Sequence, residues 1–378
     1  MTSAAASGGS APGGLSIQPI SQIASDGSKI AASGGAAPAN PAGDGKATCS
    51  GINIAMVGAL TGGNAALGAN ILGGIKTAVE AHNKANPGCQ VQIKQFDTEG
   101  DPQKATQVAP SIVADSSVIG MFGPAFSGET KATGPIFFQA GLLSVSTATN
   151  PKLTGNGWTN FFRILGNDNS QGAAAANYLT KVLNYKKVCV VQDDSDYGVG
   201  LANVVSTTLG SAADSACAGK VKTGDKDFSS LVNQIKIESP DAVYYSGYYA
   251  EAAPFVSQLR SAGVTAKFVS GDGTNDPQFV KQAGAASDGA LLTCPCGPAP
   301  AAFAAEFKGV NGTAPGVYSV EGYDGATIML KGIDSGVKTR KDMIAYFRSY
   351  SGEGVAKAYK WAANGELAAA NPWIYDVK

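Results

Sequence analysis

Residues 118–130 read VIGMFGPAFSGET. Val118, Ile119, Met121 and Phe122 make a short apolar run, the pattern of a strand buried on both faces. Gly123-Pro124 breaks the run, and a helix opens near Ser127. The Ser127 hydroxyl then stands beside backbone amides at Gly128, Glu129 and Thr130 that have no intrahelical acceptor. A helix N-terminus of this kind favours an anion, a carboxylate included. The plainer reading is that Ser127 only caps the helix. Both readings ask for a strand, a tight loop and a helix in succession.

Outward from this stretch the same succession recurs. Residues 52–60 (INIAMVGAL) predict a buried strand. Residues 70–83 predict a helix with Ile71, Ile75, Ala78 and Val79 on one face, ended by Asn-Pro-Gly at 86–88. VQIKQFD is the next strand, Asp101-Pro102 opens a helix to about residue 114, residues 128–141 continue the third helix, and LLSVS is the fourth strand. Residues 151–172 are turn-rich with an aromatic cluster and interrupt the alternation. It resumes with a helix over 173–183, the strand KVCVVQDD, a helix over 197–209, the strand KVKTG and a helix capped by Asp227. DAVYYSGY, KFVSGDG and GALLTCP are further strands, separated by a helix over 250–262 and a shorter one. Helices are expected over 301–308, 322–334 and near 340–350, and Asn364-Gly365 predicts a terminal hairpin in YKWAANGELAAANPWIYDV. Strands alternating with helices imply an α/β fold with parallel sheets. In such sheets ligands lie beyond the carboxyl ends of the strands, here residues 60–64, 96–101, 123–127 and 146–150.

The chain of 378 residues suggests two domains at ~100–200 residues each, and 44% hydrophobic residues suffice for two cores. A net charge of −1 gives no electrostatic case for nucleic acid or an anionic membrane surface. Residues 1–47 contain no aromatic residue and are rich in Ala, Ser, Gly and Pro, so they read as a disordered linker. They lack the basic and continuous apolar regions of a signal peptide, and no segment reaches the ~18 apolar residues of a membrane span.

The six cysteines lie at 49, 89, 189, 217, 294 and 296. Cys49 and Cys89 each precede a strand, and Cys189 and Cys217 lie in or before one, so Cys49–Cys89 and Cys189–Cys217 are expected to be bonded. Cys294 and Cys296 either pair locally or stay free. The single histidine, His82, sits in the polar stretch EAHNKAN and is expected at the surface. No paired CxxC supports zinc. Asp97, Glu99 and Asp101 begin like a calcium loop, but Val108 stands at the twelfth position where Glu is needed. No GxSxG, P-loop or GxGxxG occurs, and GDGTND lacks the third glycine. These absences argue against an enzyme, and no cofactor or metal is expected.

The order of the stretches IAMVGALTGGNAALG, GMFGPAFSGET, VSTATNPKLT, FFRILGNDNSQG, VVQDDSDYGVGLA, GDKDFSSLV, DAVYYSGYYAEAAPF and FVSGDG resembles the extracytoplasmic solute-binding proteins of ABC importers for branched-chain amino acids, the type I periplasmic-binding-protein fold. Together they cover roughly residues 50–330. The resemblance implies two doubly wound α/β lobes joined by three crossovers, with an amino acid clamped between them. It places lobe 1 at 48–165 plus 293–353 and lobe 2 at 166–292 plus 354–378, with hinges near Gly166, Thr293 and Gly354. Ser127 matches the family's carboxylate-binding serine. Thr147, Ala148 and Thr149 fall in its second ligand loop. Tyr197 and Tyr248 match second-lobe tyrosines, and Asp272 matches the acid that takes the α-ammonium, more often Glu in the family. Asp168 is either a second ammonium partner or a helix cap, and Tyr318 matches an aromatic of the last segment more loosely. Leu67 stands where an aromatic often walls the side-chain pocket. The implied partners are an amino acid and a membrane permease, with a monomer tethered by a lipid anchor in the natural precursor. The alternatives are a sensor ectodomain of the same fold, or a binder for an amide or aromatic acid, which would not need Asp272.

Overall fold

The computed structural model describes residues 14–31, 38–368 and 370–378. They form two compact α/β units. The first holds residues 38–165 and 297–368, the second 14–31, 166–296 and 370–378.

The first unit is built on a five-stranded sheet in the order Gln92–Asp97, Asn53–Gly58, Val118–Phe122, Leu143–Ser146, Phe161–Arg163. All its pairings are parallel. The apolar run at 118–122 is the central strand, and every residue in it is buried. Ala55, Val57, Val118 and Met121 pack with Ala109, Ile112 and Phe137 of the helices Pro102–Ala114 and Ser127–Gln139. Burying each large apolar side chain contributes about 1.5–3 kcal/mol. The helix Ala65–Ala85 packs along Ser319–Asp334. Their backbones come so close that a Cβ on Gly74 would lie 2.0 Å from the Ser319 carbonyl oxygen. Phe161–Arg163 lies inside the stretch expected to be an irregular break. Three residues are too few to show a period, and the strand exists because Leu143–Ser146 offers it an edge.

The second unit carries an eight-stranded sheet in the order Lys29–Ile30, Ile17–Ile23, Trp373–Val377, Leu291–Cys294, Lys267–Ser270, Ala242–Ser246, Val188–Gln192, Gly219–Lys220. The last five are parallel to one another, and the first three join antiparallel. Tyr245, Phe255, Phe268 and Phe279 pack ring against ring in its core, the first pair tilted, the second edge-on and the third stacked. The expected strand KVKTG shrinks to Gly219–Lys220.

Several sequence expectations are corrected. Residues 1–47 are not wholly a linker. Ile17–Ile23 pairs antiparallel with Trp373–Val377 and Lys29–Ile30 pairs with it in turn, while residues 1–13 and 32–37 lie outside the described residues. Trp373–Val377 therefore serves the second unit's sheet rather than a terminal hairpin. The predicted Asn364-Gly365 turn survives as a bridge between Trp361 and Leu367. The last crossover falls at 368–370, not near Gly354. Residues 354–368 stay with the first unit because Asp324 accepts the Val355 and Ala356 amides at 2.7 and 2.8 Å and the Tyr359 hydroxyl at 2.9 Å. Likewise Thr293 lies inside a second-unit strand, and the chain crosses after Cys296. The first of these crossovers follows Leu165, so that Gly166 opens the second unit. A further passage between units lies between residues 31 and 38.

All six cysteines are paired, as Cys49–Cys89, Cys189–Cys217 and Cys294–Cys296. His82 is fully buried rather than at the surface. Its Nε2 lies 2.8 Å from Asp334 Oδ1 and its Nδ1 3.1 Å from Asn83 Oδ1, so polar neighbours in sequence concealed a buried, hydrogen-bonded ring.

Candidate functional site

In the first unit the sequence-predicted donors come together at the carboxyl ends of adjacent strands. Gly123 leaves the central strand with φ of +117°, and a Cβ there would sit 2.1 Å from the Val57 carbonyl oxygen. Only glycine tolerates both demands. The helix then starts at Ser127, with Phe126 as the N-cap residue. Ser127 is thus the first helical residue rather than the cap. The cap is supplied from within by Glu129, whose Oε2 accepts the Phe126 amide at 2.9 Å and whose Oε1 accepts the Thr98 hydroxyl. Glu129 is completely buried, and this burial pushes its carboxyl up to about 7 despite those two hydrogen bonds.

The Ser127 Oγ accepts the Asn150 amide at 3.2 Å. Thr147 Oγ1 donates to the Ala125 carbonyl at 2.9 Å, and the Ala148 amide donates to Ser146 Oγ at 3.0 Å. The loop 147–150 is therefore tied to the loop 123–127 at both its ends. Ser127, Thr147, Ala148 and Thr149 are all buried. Thr149 has no hydrogen-bond partner among the described residues, so its amide and hydroxyl are left as donors. Tyr318, also in this unit, is the buried N-cap residue of Ser319–Asp334 with φ of +67°. Leu67 is fully buried.

In the second unit Asp272 follows the strand Lys267–Ser270. Its Oδ1 accepts the Tyr197 hydroxyl at 2.7 Å and Gln171 Nε2 at 2.8 Å, which fixes the plane of a buried carboxylate. Tyr197 reaches it from the first turn of Asp196–Leu209. That helix is started by Ser195, whose Oγ accepts the Gly198 amide at 2.9 Å while donating to Asp193 Oδ1 at 2.6 Å. Burial pushes the Asp193 carboxyl up to about 6. Tyr248, the N-cap residue of Tyr249–Ser261, lays its ring 5.1 Å from that of Tyr197. Gly273 lies beneath both, for a Cβ there would come within 3.0 Å of each ring. Asp168 is fully buried in the first turn of Asp168–Asn177. The cap of that helix is Asn167, which accepts the Asn169 and Ser170 amides, so the capping alternative for Asp168 falls away. Both Asp272 and Asp168 lie close enough to Tyr244 for their charges to add to burial in pushing its hydroxyl well up. One unit thus presents hydroxyl and amide donors and the other a pair of buried acids framed by tyrosines.

Sequence reasoning missed Gln171, Arg163 and Glu366 as contributors. Gln171 and Arg163 stand in FFRILGNDNSQG, where a charge inside an apolar run was the available signal. Asp97 and Asp101 act as turn and cap residues. Asp97 Oδ1 accepts the Leu60, Thr61 and Glu99 amides, and Asp101 accepts those of Gln103 and Lys104. His82, Cys89 and Asp334 bring donor atoms within 4.8 Å of one another, but Cys89 is committed to its disulfide and His82 to Asp334.

Two α/β units, each with a polar cluster at its strand ends, define a solute-binding protein of the type I class. A profile of the periplasmic binding protein family matches residues 51–378, and the chain belongs to that family. A leucine-, isoleucine-, valine-, threonine- and alanine-binding protein of Pseudomonas aeruginosa is 30% identical over 302 residues, covering 78% of this chain and 81% of its own. The branched-chain amino acid transporter substrate-binding protein LivJ of Streptococcus pneumoniae, solved with isoleucine, superposes with a TM-score of 0.80 at 26% identity, over 86% of this chain and 99% of its own. The leucine-binding protein LivK of Thermotoga maritima gives 0.77 at 26% identity, over 86% and 97%. Among the described residues no helix is long and apolar enough to cross a membrane.

Proposed function

We propose that this protein is the solute-binding component of an ABC importer, capturing a small aliphatic amino acid, branched-chain or related, outside the cytoplasm and delivering it to a membrane permease without chemical change. A zwitterion needs donors for its carboxylate and an acid for its ammonium. In this reading Ser127, the first-turn amides and the 147–149 loop take the carboxylate, and Asp272, with Asp168 adding negative charge, takes the ammonium. Tyr197, Tyr248 and Tyr318 bound the ligand. The observation that carries the reading is Asp272, buried and held in one orientation by Tyr197 and Gln171. An aromatic acid or an amide would bring no positive charge to that buried carboxylate, whereas an ammonium group answers it directly. The ligands named for the P. aeruginosa and S. pneumoniae relatives support the same class. The same reading includes a lipid anchor in the natural precursor and a monomeric protein.

The test is calorimetric titration with leucine, isoleucine, valine, threonine and alanine, against benzoate and an aliphatic amide. Amino acids are expected to bind. Asp272→Asn is expected to weaken them by about 1.5–3 kcal/mol, the range for a hydrogen bond to a charged group, and to leave benzoate unaffected. Binding of benzoate or the amide with no heat from any amino acid would overturn the assignment.

A further inference from the structure

Arg163 ends the strand Phe161–Arg163 and is among the largest fully buried side chains in the protein. A buried guanidinium is tolerated only when its charge and donors are met. Here Nε and one terminal nitrogen form a two-pronged pair with Glu366, at 3.1 and 3.2 Å. Glu366 is steadied by the Thr154 hydroxyl at 2.7 Å. The segment carrying it is strapped to the strand, for Arg163 N donates to the Gly365 carbonyl at 2.9 Å and Trp361 Nε1 donates to the Arg163 carbonyl at 2.7 Å. The remaining donors of Arg163 go to the 147–150 loop: one terminal nitrogen to the Ala148 carbonyl, the other to the Asn150 carbonyl at 3.0 Å.

The chemical consequence lies in the peptide plane. A trans peptide sets its C=O and N–H in opposite directions. Holding the Ala148 carbonyl toward Arg163 therefore turns the Thr149 amide the other way. That amide has no acceptor among the described residues, and it belongs to the loop that meets Ser127 through Asn150. We propose that Arg163, locked by Glu366, is a positioning residue that aims the Thr149 N–H at the ligand carboxylate. This rests on the carboxylate reading given above, and it adds the device that sets the direction of the donor. The strap at 361–366 becomes part of the recognition apparatus although it supplies no ligand contact.

Two measurements test it, each on Arg163→Lys and Glu366→Gln. The lysine substitution keeps the charge, but an ammonium carries three donors on a single nitrogen and cannot reproduce the four bonds that the three guanidinium nitrogens make. The glutamine substitution keeps the shape, so one variant stays informative should the other fail to fold. First, the ratio of dissociation constants for L-leucinamide and L-leucine reports how strongly the site reads a carboxylate. Both variants are expected to lower that ratio tenfold or more, with leucinamide little changed. Equal weakening of the two ligands, or an unchanged ratio, would mark Arg163 as structural only and overturn the proposal. Second, hydrogen exchange of the 147–150 amides is followed without ligand. Exchange is expected to speed up tenfold or more in both variants, while the strand Val118–Phe122 is unaffected. Unchanged loop exchange would equally sink the idea. Should the wild-type protein bind no leucine, the carboxylate reading fails, and the exchange result still decides whether Arg163 orders the loop.

Discussion

Glu129 shows how one side chain couples the candidate site to pH. It closes the N-terminus of the helix that carries Ser127, yet burial above all pushes its carboxyl from 4.5 to about 7. An acid whose folded value lies above its unfolded value binds more protons in the native state, so stability falls as pH rises. The loss runs from about pH 4.5 to about pH 7, and amounts to at most about 3 kcal/mol at about 1.36 kcal/mol per unit. Glu129→Gln removes the titration while keeping an acceptor for the Phe126 amide and a donor toward Thr98. Urea unfolding at pH 5 and pH 8 is expected to show the variant gaining on the wild type by up to that amount at the higher pH. A difference that does not change with pH would mean that its two donors fully compensate the carboxylate for burial. None of this was legible in GPAFSGET. The sequence marks an acid three residues into a helix, but only packing makes it buried.

Each disulfide joins segments of one unit, and its worth follows from the loop it closes. Cys49–Cys89 spans 40 residues, Cys189–Cys217 spans 28, and Cys294–Cys296 spans 2. Loop-closure entropy then gives about 4, about 3.5 and about 1 kcal/mol respectively. Replacing both cysteines by alanine should cost close to these amounts, the first two lowering the urea midpoint strongly and the third barely. A third pair as costly as the first would show that native-state contacts, not chain entropy, set the value. The first two pairings could be expected from cysteines placed at neighbouring strand starts. The strand Ile17–Ile23 was concealed because the residues around it have the composition of a spacer, although IQPISQI itself carries three isoleucines, and its burial is only partial at most positions. It is a strand because Trp373–Val377 lends it an antiparallel edge.

At the scale of the whole molecule, neither unit is a continuous piece of chain. The sheet of the first unit is covered by residues from far along the sequence. Gly120 on its central strand faces Met329 and Met343, and Arg340 donates to the Val118 and Asp115 carbonyls at 2.9 and 2.8 Å. A fragment of residues 48–165 is therefore expected to lack a cooperative thermal transition by circular dichroism and to bind a hydrophobic dye, since one face of its sheet would be bare. A sharp melt of that fragment would contradict this. The alternation of buried runs and amphipathic helices was enough by itself to indicate an α/β fold with parallel sheets and to mark Ser127 at a strand end, whereas Thr149, Tyr197 and Asp272 became candidates only through the order of motifs that the chain shares with the family. Those are local properties, written in periodicity, turn residues and motif order. Only the tertiary structure decided which unit owns residues 354–368, that His82 is buried against Asp334, and that Arg163 and Glu366 underpin the 147–150 loop. Each depends on partners far apart in sequence, and the free energy of a buried charge or an unpaired strand edge is set by what lies against it, which no local pattern records.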